Sequence, residues 1–139
     1  AKGARLLTGG KANDTHMSPT LLDGVTREMR LWREESFGPV KAIIRVHSEE
    51  EALAVANDSE YGLSAAVYSR DSARAWNVAQ RLHTGICHIN GPTVHDEAQM
   101  PFGGCKASGY GRFGGRAGIA DFTELRWITI QTQPRELPF

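Results

Sequence analysis

Cysteine is scarce in this sequence, net charge is lacking, and no long apolar run is present. The two cysteines, Cys87 and Cys105, are too few for a disulfide framework, which predicts a reducing, cytoplasmic setting. Sixteen basic residues balance sixteen acidic ones, so nucleic acid and anionic membranes are not expected as partners. No run approaches the roughly 18–20 apolar residues of a membrane span, and no signal peptide opens the chain. What remains is a globular chain of one-domain size, 139 residues, expected to bury about two-thirds of its unfolded surface.

Glycine, in contrast, is concentrated in one stretch, since six of the fifteen glycines lie between Gly103 and Gly115. Such a density excludes an ordinary helix or strand and indicates a loop in which the backbone approaches a ligand or another backbone. Residues 109–114 match G-x-G-x-x-G by letter. The dinucleotide fingerprint also needs a preceding strand and an acidic residue about twenty positions later, and both are missing here. We therefore do not assign a pyrophosphate site to this stretch.

The middle of the chain predicts an α/β fold with a parallel βαβαβ sheet and flanking helices. Three apolar strands alternate with two amphipathic helices that begin at caps, the first at Ser48 in a capping box with Glu51 and the second at Asp71 or Ser72. The predicted strands are 40–46, 63–68 and 86–89, preceded by short strands at 5–8 and 19–22 and a surface loop at 11–18.

A long glycine-rich loop follows the sheet, from about residue 90 to residue 115, and leads to a short helix at 115–121. Residues 124–131 alternate in a way that predicts a last strand with an exposed edge. We expect one body at residues 1–122, and an oligomerisation strand and extended tail at residues 123–139.

Glu34 and Glu35 form an acidic pair that is followed by the aromatic residue Phe37. A Gly-Pro pair at 38–39 then prevents a helix from continuing. A helix end disfavours negative charge, so local structure does not explain the pair. A carboxylate that accepts hydrogen bonds from ligand hydroxyls beside an aromatic wall would explain it. A solvated acidic surface is the alternative, and composition does not decide between the two.

The cysteines and histidines could be catalytic or bind metal, but each also has a purely structural explanation. Cys105 lies beside Lys106, whose charge could activate a thiol, but a small side chain that fills a loop is the favoured interpretation. Cys87 lies in an apolar strand and is expected in the core. His83, Cys87 and His88 do not share a face, so no metal site is predicted. His95, with Asp96 and Glu97, either lines a pocket or forms a solvated turn.

Four motifs together resemble the NAD(P)-dependent aldehyde dehydrogenase superfamily, specifically the carboxy-terminal part of its catalytic domain. They are Glu-Glu-Ser-Phe-Gly-Pro-Val at 34–40, Asn-Asp-Ser-Glu-Tyr-Gly-Leu at 57–63, Gly-Ile-Cys-His-Ile-Asn at 85–90 and Pro-Phe-Gly-Gly-Cys-Lys-Ala-Ser-Gly at 101–109. The run 89–102, with Gly-Arg-Phe-Gly-Gly at 111–115, is most similar to salicylaldehyde, vanillin and benzaldehyde dehydrogenases. The resemblance covers essentially the whole chain.

The resemblance implies roles for individual residues. Glu35 would hold the nicotinamide-ribose hydroxyls of NAD or NADP, with NAD favoured, and Phe37 would pack near the nicotinamide. The loop from Asn90 to Phe102 would form one wall of an aromatic-aldehyde tunnel, with His95 or Asp96 meeting a ring hydroxyl. The strand 124–131 would pair subunits into a homo-oligomer. Phe113 stands where many relatives carry an acidic residue, which puts the ion pair of Arg112 in doubt.

The nucleophilic cysteine, the glutamate base and the nucleotide-binding domain of the family have no match in this sequence, which also starts without Met. Three hypotheses remain. The chain is a segment of an aromatic-aldehyde dehydrogenase, or a truncated product with an improvised site, or a non-catalytic binding or assembly module that pairs through 124–131. In the second hypothesis Cys105 or Cys87 is the thiol, and Glu35 or His95 is the base.

Overall fold

The computed structural model describes residues 2–136. Its elements, in chain order, are β1 Arg5–Thr8, β2 Ala12–Asn13, β3 His16–Met17, β4 Thr20–Asp23, α1 Arg30–Arg33, β5 Val40–Ile43, α2 Glu49–Asn57, β6 Tyr61–Gly62, β7 Ser64–Val67, α3 Ser72–Ala79, β8 Ile86–Ile89, β9 Cys105–Lys106 and α4 Gly115–Asp121. The predicted alternation of strands and helices from residue 40 to residue 89 is confirmed. The surface loop predicted at 11–18 is instead a small hairpin, in which β2 pairs with β3.

The strands form separate sheets, which differs from the single parallel sheet predicted. Strand β4 pairs with β1 antiparallel and with β5 in parallel, whereas β7 and β8 form a parallel pair of their own through the crossover helix α3. Within residues 2–136 no pairing joins β5 to β7. Consecutive strands are neighbours in only about two-thirds of cases. Strand β5 pairs with β4 on one side and is an edge strand of its sheet on the other.

Both long helices begin at the predicted caps. The Ser48 hydroxyl accepts a hydrogen bond from the Glu51 N–H at 3.1 Å, and the Asp71 carboxylate accepts one from the Arg74 N–H at 3.0 Å. Glu51 reaches back to the N–H of His47, one residue before the cap, at 2.7 Å. The capping box is therefore confirmed with a one-residue shift of its second bond.

The core is small for a chain of this length. Its buried apolar side chains are Val25, Met29, Leu53 and Ala75 among the described residues. The accessible surface is 11580 Å², whereas a compact monomer of this mass exposes about 7,100 Å². The chain thus buries only about half of its unfolded surface, not the two-thirds expected, because many apolar side chains on its sheets and its last segment are uncovered.

The segment 124–131 lies outside every sheet in the described part of the chain, and all its residues are exposed. The predicted strand is therefore an unpaired segment here, and residues 137–139 of the predicted tail lie outside the described residues. Helix α4 confirms the short helix predicted before it. Across residues 2–136, no helix combines the length and the hydropathy that crossing a bilayer would require.

Candidate functional site

The acidic pair divides into one bound and one available carboxylate. Arg30 donates to both oxygens of Glu34 through Nε at 2.8 and 2.9 Å, and through Nη2 at 2.7 Å. These hydrogen bonds lower the pKa of Glu34. Glu35 makes no hydrogen bond or ion pair with any described residue. Of the two carboxylates, Glu35 is thus the one that can accept hydrogen bonds from a ligand.

Glu35 borders a groove of about 640 Å³ between the end of α2, strand β7 and the glycine-rich stretch. The polar side chains on this groove are Glu35, Ser59, Tyr61, Ser64, Thr84 and Ser108. An available carboxylate among hydroxyl groups suits a ligand that carries hydroxyls of its own, such as a ribose. Phe37 does not line the groove, and it projects into solvent with 96% of its surface exposed.

A second cavity, of about 380 Å³, lies between β8 and the loop that follows it. Its lining is largely apolar, with Met100, Pro101 and Phe102 on the loop side, and it includes the polar residues His88, His95, Asp96 and Glu97. His95 and Asp96, predicted as pocket residues, are among these polar groups, so the structure brings both together with Phe102. The cavity has the size and the mixture of an apolar wall with few polar groups that small-molecule sites show.

Asn90, predicted as a pocket residue, does not line this cavity. Its side-chain amide binds the backbone of Ser69 at both ends, accepting from the N–H and donating to the carbonyl at 2.9 Å each. Its backbone has φ of 57°, a left-handed conformation that asparagine tolerates. Asn90 therefore sets the direction in which the loop leaves β8, and any effect on the cavity is indirect.

His88 also lines this cavity, a position that the sequence did not predict. Its ring packs edge-to-face on His95, with 5.5 Å between the ring centroids and 86° between the planes. Its Nε2 is buried and has no hydrogen-bond partner in the described part of the molecule. A polar residue in an otherwise apolar strand was the available signal, since such a residue on a buried strand usually meets a partner.

The two thiols have environments that differ from that of a reactive cysteine. Cys105 Sγ approaches the carbonyl oxygens of His83 at 3.3 Å and Gly62 at 3.5 Å, as a thiol donor does. Burial raises the pKa of the Cys87 thiol, which disfavours its thiolate. Among residues 2–136, no three His, Cys, Asp or Glu side chains are grouped so as to hold a metal ion.

The glycine-rich stretch is crowded by its own backbone. A Cβ on Gly114 would lie 2.2 Å from the Met100 carbonyl oxygen, and one on Gly115 would lie 2.4 Å from that of Gln99. Both glycines have positive φ. Arg112, whose ion pair was in doubt, donates instead to the carbonyls of Gly104 and Gly111 at 2.7 Å each. Gly114 and Gly115 allow two segments of the backbone to pack closely together. This packing positions the loop that lines the second cavity.

Comparison with known proteins identifies relatives of this chain. The model of the aldehyde dehydrogenase family matches residues 1–128. A vanillin dehydrogenase of Pseudomonas fluorescens is 64% identical over 99% of this chain and 29% of its own length, and a benzaldehyde dehydrogenase [NAD(+)] of Pseudomonas putida is 44% identical over 99% and 28%. The crystal structure of a salicylaldehyde dehydrogenase from Pseudomonas putida G7, complexed with salicylaldehyde, superposes with a TM-score of 0.92 at 50% identity, over 99% of this chain and 28% of that one.

The chain therefore spans less than a third of the length of these relatives. The predicted resemblance to vanillin, salicylaldehyde and benzaldehyde dehydrogenases is confirmed over nearly all of its residues. The chain belongs to the aldehyde dehydrogenase family.

Proposed function

We propose that this chain is the carboxy-terminal part of an aldehyde dehydrogenase catalytic domain that oxidises a salicylaldehyde-like aromatic aldehyde to its carboxylic acid. The observation that carries the proposal is the cavity behind β8, which is lined by Phe102 together with His95 and Asp96. An aromatic ring would pack on Phe102, and a ring hydroxyl would hydrogen-bond to His95 or Asp96. The names of the relatives, vanillin and salicylaldehyde dehydrogenase, support the hydroxylated ring.

The cofactor is proposed to be NAD⁺ or NADP⁺, with NAD⁺ favoured. The Glu35 carboxylate, which has no partner among the described residues and borders a groove lined with hydroxyl groups, suits the ribose next to the nicotinamide. Phe37, exposed beside it, would pack against the nicotinamide ring. The residues that would contact the adenosine end of the cofactor have no match in this chain. The residues of this chain therefore do not determine the choice between NAD⁺ and NADP⁺.

The reaction would follow the course typical of the family, in which a thiolate adds to the aldehyde carbon. The nicotinamide, when bound, would accept a hydride from that carbon, and water would then release the acid from the thioester. The residues of this chain would bind and orient the two reactants, since neither cysteine matches the nucleophile of the family. An improvised site with Cys105 or Cys87 as thiol, and Glu35 or His95 as base, is the second candidate.

Turnover by the purified 139-residue chain with NAD⁺ and salicylaldehyde, followed as formation of reduced nicotinamide, separates these candidates. A binding segment without the family nucleophile should give no turnover above a heat-killed control. Turnover that disappears in the Cys87→Ala/Cys105→Ala double variant would favour the improvised site. Turnover that survives in the double variant would exclude both thiols.

Binding tests the proposed site directly. Glu35→Gln should raise the Kd for NAD⁺ by about tenfold, because a charge-assisted hydrogen bond is weakened, while the matched variant Glu34→Gln should leave it unchanged. Phe102→Ala should raise the Kd for salicylaldehyde by a similar factor, and Phe122→Ala, an exposed ring outside both cavities, should not. Equal Kd values in Glu35→Gln and Glu34→Gln would contradict the cofactor assignment.

A third candidate is a non-catalytic assembly module that pairs through residues 124–131. The exposed, unpaired state of this segment favours it. It is compatible with the first proposal, because a segment of a larger enzyme can also carry the contact between subunits.

A further inference from the structure

Helix α2 ends on an acidic residue, which is unfavourable for the helix itself. The Asp58 N–H donates to the carbonyls of Ala54 at 3.0 Å and Val55 at 3.2 Å, so Asp58 is the C-terminal cap. No basic residue occupies the last turn of α2. A negative charge there adds to the partial negative charge of the carbonyl end of a helix. The presence of Asp58 therefore needs a reason outside α2.

That reason lies in α1, the short helix before Glu35. The Trp32 indole N–H donates to Asp58 Oδ2 at 3.0 Å, and Arg27 Nη2 approaches the same oxygen at 3.1 Å. The Arg27 guanidinium also lies 5.8 Å from the centroid of the Trp32 ring. The Trp32 contact joins α1 to the end of α2 across 26 positions of sequence, and Arg27, just before α1, reinforces it.

The same turn, residues 57–59, also holds the glycine-rich stretch. Lys106 Nζ donates to the carbonyls of Asn57 at 3.0 Å and Ser59 at 2.9 Å. Ser59, Glu35 and Ser108 all border the 640 Å³ groove. Two walls of the groove are thus attached to one turn, one wall through Trp32 and the other through Lys106.

We propose that Trp32 and Asp58 are positioning residues for Glu35. Glu35 follows Trp32 by three residues and has no side-chain partner of its own in the described part of the chain. The Trp32–Asp58 bond therefore fixes the point from which the Glu35 segment departs, and keeps the carboxylate on the groove beside Ser59. This inference rests on the proposed role of Glu35 as the residue that binds the nicotinamide-ribose hydroxyls.

The test measures two ligands on the full 139-residue chain. Nicotinamide mononucleotide probes the Glu35 groove, and salicylaldehyde probes the cavity behind β8. Trp32→Phe and Asp58→Ala should each raise the Kd for the mononucleotide by about threefold to tenfold and leave the Kd for salicylaldehyde unchanged. Asp58→Asn keeps a side-chain oxygen for the indole N–H and should stay within about twofold of the wild type. Trp76→Phe, a change to the exposed tryptophan of α3, is the matched control.

Three results would overturn the inference. One is an equal loss of both ligands in Trp32→Phe, which would indicate a general structural effect. Another is an unchanged mononucleotide Kd in Trp32→Phe where Glu35→Gln weakens binding, which would leave the proposed function intact. If the wild type binds no mononucleotide, the cofactor proposal fails. The positioning role of Trp32 is then tested by amide hydrogen exchange at residues 34–37. Faster exchange in Trp32→Phe than in Trp76→Phe would uphold the positioning role, and equal exchange would refute it.

Discussion

Asp23 is a buried carboxylate held between two arginines from different strand regions. Arg45 donates to it at 2.8 and 3.1 Å, Arg5 donates at 2.9 Å, and the Gly24 N–H donates at 3.0 Å. These bonds, led by that of Arg45, lower the pKa of Asp23 from 3.8 to about 2. The residue thus ties β4, at the centre of the first sheet, to β1 and to the chain after β5.

The lowered pKa of Asp23 makes a prediction about acid stability. Between pH 4 and pH 2 the unfolded chain binds this proton more readily than the folded chain, so the contribution of Asp23 is complete above about pH 4 and is lost as the pH falls toward 2. Asp23→Asn should therefore lower the Tm at pH 7, and the Tm difference from the wild type should shrink as the pH approaches 2. Circular dichroism melts across this range measure it, and a constant difference would contradict the prediction.

At the residue scale, the sequence indicated which side chains could form a site but not which residues they would contact. The motif at 34–40 pointed to a carboxylate site, and it could not show that Arg30 binds Glu34 and leaves Glu35 available. The motif at 85–90 also did not show that the Asn90 side chain binds the backbone of Ser69 and does not line the cavity behind β8. Such outcomes depend on contacts between segments far apart in the chain, which a local pattern does not contain.

Strand β8 is the element on which both the cavity and the glycine-rich stretch depend. Gly85, just before it, lies against the backbone of the stretch, since a Cβ there would be 1.9 Å from the Gly103 carbonyl oxygen. Gly91, just after it, has room for a Cβ at 3.7 Å from the His88 side chain. Neither glycine has positive φ, so the two positions differ in space and not in backbone conformation.

This difference predicts unequal effects of one substitution at the two ends of β8. Gly85→Ala must displace the glycine-rich backbone and should reduce the free energy of unfolding by about 2–4 kcal/mol. Gly91→Ala should change it by less than about 0.5 kcal/mol. Urea denaturation of both variants provides the measurement, and similar losses at the two positions would show that the packing of β8 on the stretch is not what Gly85 provides.

At the element scale, the helices were more predictable than the sheets. Caps and apolar stripes lie within a few residues of each other, so Ser48 and Asp71 could be identified as helix starts before any tertiary contact was known. Sheet partners are chosen over longer distances, and the pairing of β5 with β4 was missed for this reason. The residues 124–131 had the pattern of a strand but no partner within the described chain.

The whole molecule exposes about 4,500 Å² more than a compact monomer of its mass would. Part of this surface is the segment 124–131, where Leu125, Trp127, Ile128 and Ile130 are all exposed. Exposed apolar patches on this scale are typical of interfaces. The surface is consistent with a chain that spans less than a third of the length of its relatives.

Pairing of copies through 124–131 predicts a mass above that of the monomer. Light scattering after size exclusion should give a dimer or larger species for the wild type. Trp127→Glu should weaken association about tenfold or more, because it places a charge in the pairing face, whereas Trp76→Glu on α3 should not. A wild type that stays monomeric at every concentration would remove this proposal.

The contact of Lys106 with the end of α2 also has a consequence for the order of folding. Its ammonium group binds carbonyls 47 and 49 positions earlier in the chain. Synthesis at about 5–20 residues per second separates the two partners by roughly 2–10 s on the ribosome. Helix α2 can form as soon as its own residues emerge, but the carbonyls of Asn57 and Ser59 receive the Lys106 ammonium only after residue 106 has been made. During that interval the nascent chain has a formed helix whose carboxyl end still lacks the contact with Lys106.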